Sequence, residues 1–167
     1  MQVKEIMTRD VISVRPDTPV ATVARLFREK AISGMPVVND EGEVVGIITE
    51  VDLVARHARP HFPSYFQFLD SIIYLESTRR YRESMRHILA TTAAELMTTP
   101  AQTVGPEMDV QDLATFMVEN RVNPVPVIDD DENLVGIISH TDLLHMIEEA
   151  EAAEEAAEES AGAGAEP

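Results

Sequence analysis

The sequence predicts an α/β (α+β) fold built from two β-α-β-β-α repeats related by a pseudo-twofold axis, with a helical insertion between them. Three observations carry this. Sliding the chain by ninety positions aligns residues 5–53 with 95–143 without a gap, and 17 of the 49 pairs are identical, among them Met7, Pro16, Val20, Pro36, Gly46 and Asp52. A gapless repeat fixes the architecture before any local pattern is weighed. Within each copy, short β-prone runs alternate with apolar residues at helical spacing. The residues between the copies differ from both: six of the eight aromatic residues lie within 62–81.

Each copy opens on a β-prone run, "VISV" at 11–14 and "AQTV" at 101–104, followed by a turn at Pro16 or Pro106. A helix comes next, with Val20, Val23, Ala24 and Phe27 on one face in the first copy and Val110, Leu113, Ala114 and Met117 in the second. Thr18 is the expected N-cap of the first of these helices, with Pro19 at its first position. "MPVV" and "EVVGIIT" then read as a hairpin around "NDEG", and "VPVI" and "NLVGIIS" as one around "DDDE". A last helix begins after Thr49 or Ser139. A unit of about fifty residues has a small core, so two units packed sheet face to sheet face bury each other's apolar side. The expected divisions are repeat one at 1–56, an aromatic and basic insertion at 57–90, repeat two at 91–147, and an acidic low-complexity tail at 148–167. Within the insertion, "YFQFLDSIIYL" and "TRRYRESMRHILATT" are read as helices.

Composition narrows the function classes. The formal net charge is −17, of which the tail's eight Glu supply almost half, and residues 1–147 carry −9. Such a chain is a poor ligand for duplex nucleic acid, whose phosphates reward cations. The Ala/Glu half of the tail is suited to prolong the preceding helix, and its Ala/Gly end to remain disordered. No apolar run reaches the roughly 18 residues of a membrane span, and the first ten residues hold no apolar signal core, so a cytoplasmic location is expected. A membrane-surface role would rest on Arg79, Arg80, Arg82 and Arg86 and is the weaker reading. Cysteine is absent, which removes disulfides and thiolate chemistry. The five histidines show no recurring pairing and no HExxH spacing, and no Gly-rich phosphate loop or nucleophile elbow occurs. A non-enzyme with no required cofactor, no metal and no catalytic residue is expected.

The most closely repeated words are "VGIITEVDL" at 45–53 and "VGIISHTDL" at 135–143. A hydroxyl with Asp three residues on can be a helix capping box and nothing more. The same geometry also suits a ligand: helix N-terminal amides and the hydroxyl can hold a phosphate, and the carboxylate can accept two hydrogen bonds from a ribose diol.

The strings "EIMTRDVISVRPDTPVATVARLFREKAISGMPVVNDEGEVVGIITEVDLV" and "ELMTTPAQTVGPEMDVQDLATFMVENRVNPVPVIDDDENLVGIISHTDLL" each resemble a cystathionine-β-synthase (CBS) domain, and together they resemble a CBS pair, or Bateman module. The resemblance implies a regulatory module that takes adenosine-containing ligands in clefts shared by the two repeats. It places the hydroxyl and ribose-binding Asp on Thr49 and Asp52, and on Ser139 and Asp142. Base-contacting positions fall on Ile12, Ile32, Met35 and Pro36, and on Gln102, Val122, Val125 and Pro126. The resemblance further implies that Ile12 and Ile32 face Ser139 and Asp142, and that Gln102 and Val122 face Thr49 and Asp52. Where nucleotide-binding members often carry His, Arg or Lys, this chain has Ser33-Gly34 and Asn123-Pro124, and the residues after the hydroxyls are Glu50 and His140. Candidate effectors are therefore AMP, ADP, ATP or S-adenosylmethionine, with Mg²⁺ only for a multi-phosphate nucleotide. The cleft of Ser139, His140 and Asp142 is expected to bind more tightly. A homodimer is expected, with a protein target for the signal. A ligand-free scaffold that binds its partner through the aromatic insertion is the alternative.

Overall fold

The β-prone runs at the head of each copy contribute one bridge apiece and no strand. In the computed structural model, which describes residues 1–57, 65–68, 71–74, 86 and 88–162 (side chains of 65–68, 71–74 and 153–162 excepted), Val14 pairs in parallel with Val37 and Val104 with Val127. The Val14 amide donates to the Pro36 carbonyl at 3.0 Å and its carbonyl accepts from Val38 at 2.8 Å. The proline two residues on has no N–H to extend such a ladder. The runs are thus single-residue staples on hairpins that form without them.

Those hairpins are β1 (Gly34–Val38) with β2 (Val44–Thr49), and, after a second pair described below, β5 (Val125–Ile128) with β6 (Leu134–Ile138), all antiparallel. Each carries a bulge at its last β1 or β5 residue. At the tips, Asn39 Oδ1 accepts from the amides of Glu41 and Glu43 at 3.1 and 2.8 Å, and Asp129 Oδ1 from those of Asp131 and Asn133 at 3.0 and 2.9 Å. The side chain closes the turn itself, as Asx residues do. Gly42 has φ 93°, and at the matching place Glu132 has φ 64°.

The Asn133 amide, followed by the other donors on Asp129, holds that carboxyl below the usual aspartate range. A carboxyl with a depressed folded pKa stabilises the fold above its unfolded pKa and loses that contribution as pH falls through the folded value. The loss therefore lies below about pH 4. Asp129→Asn keeps the accepting oxygen, as Asn39 does naturally, and removes the titration. The drop in urea midpoint between pH 7 and pH 3 is expected to be smaller in this variant than in the parent; equal drops would contradict the assignment.

Helix α2 (Val20–Lys30) buries Val20, Val23 and Phe27, while Ala24, expected on that face, is exposed. Its N-cap is Pro19, not Thr18: the Thr18 hydroxyl accepts from the Arg15 amide at 3.0 Å and is already engaged in the preceding turn. Its counterpart α5 (Val110–Asn120) is capped by Asp109, whose carboxylate accepts from Gln111 at 2.8 Å, and buries Val110, Leu113 and Met117. Both helices end on a left-handed residue, Ala31 or Arg121.

The chain divides into two compact units that do not follow the repeat boundaries. One is contiguous, Ile12–Ala101; the other is split, Met1–Val11 with Gln102–Pro167. In the split unit, α1 (Val3–Ile6) packs with the second copy: the Val3 amide donates to Met108 at 2.9 Å, Lys4 to Pro106 at 3.0 Å, and Thr8 bridges Ile137. In the contiguous unit, α4 (Ala93–Leu96) does the same to the first copy, with Ala93 donating to Thr18 at 2.8 Å and Thr98 bridging Ile47. Each core includes the visiting helix. Val14, Val23, Phe27, Met35, Val37 and Ile48 enclose Ala93 and Leu96 in one; Leu113, Met117, Val125, Val127 and Ile138 enclose Val3 in the other.

The insertion departs from expectation. Tyr65–Phe68 (β3) and Ser71–Tyr74 (β4) form an antiparallel pair where the sequence predicts a helix. The run is dense in aromatic and β-branched residues, which favour strands, and a short apolar run does not distinguish helix from strand by periodicity. Of "TRRYRESMRHILATT", Arg86, Ile88 and Leu89 are helical, and residues 78–85 and 87 lie outside the described residues. Helix α3 (Glu50–Ala55) closes the first copy, and α6 (His140–Gly162) runs from the second through the Ala/Glu half of the tail. The Ala/Gly end expected to be disordered lies, from residue 163, outside the described residues. Among the described residues no helix is long and apolar enough to cross a membrane.

Candidate ligand-binding site

Thr49 is the last residue of β2 and the N-cap of α3, so a strand and a helix meet on its hydroxyl. Asp52, one turn on, accepts through Oδ2 from the Thr49 amide at 2.7 Å and the Thr49 hydroxyl at 2.8 Å. In the split unit, Asp142 Oδ2 accepts from the Ser139 amide at 2.6 Å and hydroxyl at 2.7 Å. Among the described residues, Oδ1 of each Asp receives no hydrogen bond. Two donors on one oxygen fix the carboxylate plane and leave the second oxygen as an acceptor with a set direction. Asp52 is also the one charged residue in the buried class among the described residues, 8% exposed. No buried side-chain oxygen lacks a partner among the described residues, so Asp52 Oδ1 keeps access from solvent and can take a further donor.

The helix amides expected to meet a phosphate are differently occupied. The Glu50 amide donates to the Ser33 carbonyl at 3.3 Å, and the His140 amide to Asn123 Oδ1 at 2.8 Å. With Thr49 and Ser139 donating to their own Asp, an anion that binds through these four amides has to displace an internal acceptor. The side chains beside these amides are Glu50 and His140, both exposed. Asn123, noted in the sequence for lacking positive charge, has a role there that spacing did not reveal: it holds the first turn of α6.

The expected base-contacting positions fall into two groups. Met35 and Val125 are 0% exposed, and Pro36 and Pro126 are buried in β1 and β5. They form the floor of each hairpin and present no surface in this conformation. Ile12, Ile32 and Val122 are half-buried, and Gln102 is exposed. Ile12 and Ile32 pack on the core that holds Ile48, and Val122 packs on the core that holds Ile138. A cavity of about 340 Å³ in the split unit is lined by Met1, Asp109, Val110, Gln111, Met146, Glu149 and Ala150, none of them an expected site residue. Among the described residues no cluster of three His, Asp or Glu is placed to hold a metal ion.

Gly46 and Gly136 are where the visiting segments touch the hairpins. A Cβ on Gly46 would lie 2.8 Å from Met97 Cγ and 3.0 Å from the Thr98 carbonyl oxygen, and one on Gly136 would lie 2.9 Å from Met7 Cγ.

The family model for the CBS domain matches residues 3–58 and 93–149. This chain is a CBS-domain protein. It is 32% identical to the uncharacterized protein MJ1426 of Methanocaldococcus jannaschii over 154 residues, covering 88% of this chain and 91% of that one. An inosine-5'-monophosphate dehydrogenase of the same organism matches at 27% identity over 84% of this chain but only 22% of its own length. Among solved structures, CBSX2 in complex with AMP superposes with a TM-score of 0.73 at 23% identity, covering 89% of this chain and 97% of that one. The CBS domain pair of MJ0100, in complex with 5'-methylthioadenosine and S-adenosyl-L-methionine, gives 0.68 at 21% identity, with 90% and 98% covered. The CBS pair therefore accounts for the fold of both repeats, while residues 59–92 lie outside the family match.

Proposed function

We propose that this CBS pair is a regulatory module that binds an adenosine-containing small molecule at its strand-to-helix corners, Thr49–Asp52 and Ser139–Asp142. The observation that carries the reading is the half-used carboxylate. Each Asp is locked through Oδ2 and keeps Oδ1 for a hydroxyl donor, which suits a ribose diol. That two CBS pairs of like fold were solved with AMP and with methylthioadenosine and S-adenosylmethionine supports the choice of ligand class. Ile12, Ile32, Met35 and Pro36, with Gln102, Val122, Val125 and Pro126, are proposed as the surroundings of the base, apolar except for the polar Gln102, the buried members acting from beneath.

Within that class the occupied helix amides favour ligands with few phosphates, AMP or S-adenosylmethionine over ATP; Mg²⁺ belongs only with a multi-phosphate nucleotide. The corner with His140 binds an anionic ligand more tightly than the corner with Glu50, because imidazole can donate to a phosphate and the carboxylate repels it. The module carries no catalytic step; it passes occupancy to a protein target.

Thermal unfolding in the presence of AMP, ATP, methylthioadenosine and S-adenosylmethionine tests this. A ligand at a hundred times its dissociation constant adds about 2.7 kcal/mol of stability. Asp142→Ala is expected to lower affinity for the tighter calorimetric phase at least about tenfold, the loss of one hydrogen bond to a charged group, and Asp52→Ala to affect only the weaker phase. No stabilisation by any of the four compounds would instead favour a scaffold that works without a ligand.

We also propose a homodimer. Val51 and Val54 on α3, Val118 on α5 and Leu144 on α6 are each more than 60% exposed, and apolar helix surface on a water-soluble protein marks an interface. Sedimentation equilibrium at micromolar concentration is expected to give twice the 18.5 kDa of the chain; a stable monomer would overturn it.

A further inference from the structure

Among the described residues of the insertion, Ala90 lies in the core of the contiguous unit and Arg86 hydrogen-bonds to it. Arg86, at the end of the basic run 79–86, donates from Nε to the Glu95 carbonyl at 3.0 Å and from Nη2 to those of Ala94 and Met97 at 3.1 and 3.4 Å. These are the carbonyls at the C-terminal end of α4, which have no partner within so short a helix, and a cation there is favoured by the helix dipole. The residues that follow are the ones that grip β2. Met97 lies on Gly46, Thr98 exchanges two backbone hydrogen bonds with Ile47 at 3.1 and 2.9 Å, and the Thr99 hydroxyl donates to Val45 at 3.0 Å. Two residues beyond Ile47, β2 ends at Thr49. In the split unit, among the described residues, the equivalent helix receives one such bond, from Arg9 to the Lys4 carbonyl at 3.0 Å.

The geometry points to Arg86 as a positioning residue for the Thr49–Asp52 corner: its guanidinium sets the register of residues 94–99 on β2, and so the insertion acts on one corner of the pair and not the other. Arg86 touches no site atom; it works through Met97 and Thr98. Its planar fork spans three carbonyls, which a lysine ammonium cannot match. The inference builds on the corner assigned above but can be tested without any ligand.

The test is residue-resolved amide hydrogen exchange on the full chain without added ligand, comparing the parent with Arg86→Gln and Arg86→Lys. Ile47, Thr98 and Thr49 report the contiguous unit; Ile137, Thr8 and Ser139 are the matching amides of the split unit and serve as an internal control. Arg86→Gln is expected to speed exchange of the first three about tenfold, as expected when charge-assisted hydrogen bonds are lost and local opening becomes easier, and to leave the control three unchanged. Arg86→Lys is expected to fall between. Equal acceleration of both sets would make Arg86 a merely global stabiliser, and no acceleration in either would show that the segment holds without it; both results overturn the proposal. AMP titrated into the same variants then reports separately on the ligand reading, since a failure of AMP to bind leaves the exchange result intact.

Discussion

Leu96→Ala is expected to cost the contiguous unit about 2–5 kcal/mol, the range for removing a buried leucine when its surroundings relax only partly. Leu96 is 0% exposed and lies among Val14, Phe27, Met35 and Ile48, all from the first repeat, although in sequence it opens the second. Its helix is four residues long and has no stability of its own. The side chain is therefore the main apolar tether of residues 91–101 to that core. Urea unfolding followed by circular dichroism should show the midpoint fall, while Arg28→Ala, on a side chain 79% exposed, should stay within about 0.5 kcal/mol of the parent. A loss under 1 kcal/mol for Leu96→Ala would mean that the segment is not part of this core.

Gly46→Ala is expected to cost about 1–3 kcal/mol, as overpacking does, and clearly more than Gly136→Ala. Both positions face a methionine, and a thioether chain can swing aside. At Gly136 the three nearest atoms all belong to Met7. At Gly46 the third is the Thr98 carbonyl oxygen at 3.0 Å, which accepts the Ile47 amide and cannot move without breaking that bridge. Calorimetric melting of the two variants gives the comparison directly. Adding Met97→Ala to Gly46→Ala should recover only part of the loss, because the carbonyl remains; equal costs at the two glycines would refute the role given to Thr98.

Much of this was legible beforehand because it is local. Val20, Val23 and Phe27, like Val110, Leu113 and Met117, bury one helical face as their spacing requires, and both hairpins close where Asn39 and Asp129 signal a turn. The exchange of leading segments was hidden by the regularity that exposed the repeat. Met7 and Met97 are the same residue, Gly46 and Gly136 are the same residue, and periodicity cannot choose between Met7 on Gly46 and Met7 on Gly136. The insertion misled for another reason: Ile72, Ile73 and Tyr74 fit either regular element, and strand pairing decided it. At the corner, the Thr49–Asp52 and Ser139–Asp142 pairs follow from a three-residue spacing. Which carboxylate oxygen stays free, and that Asn123 occupies the His140 amide, depend on approach directions that no linear pattern encodes.

The split unit has a consequence for how the molecule is made. A ribosome at about 5–20 residues per second delivers every part of Ile12–Ala101 in unbroken order, so that unit can close as soon as Ala101 has cleared the exit tunnel. Thr8 must wait for Ile137, its bridging partner. For the roughly ten seconds that separate their emergence at that pace, Val3, Ile6 and Met7 stay in water beside a neighbour that is already finished. Residues 1–11 are thus made before the unit Ile12–Ala101 and placed after it, and holding them soluble in the interval falls to the charges set among them, Lys4, Glu5, Arg9 and Asp10.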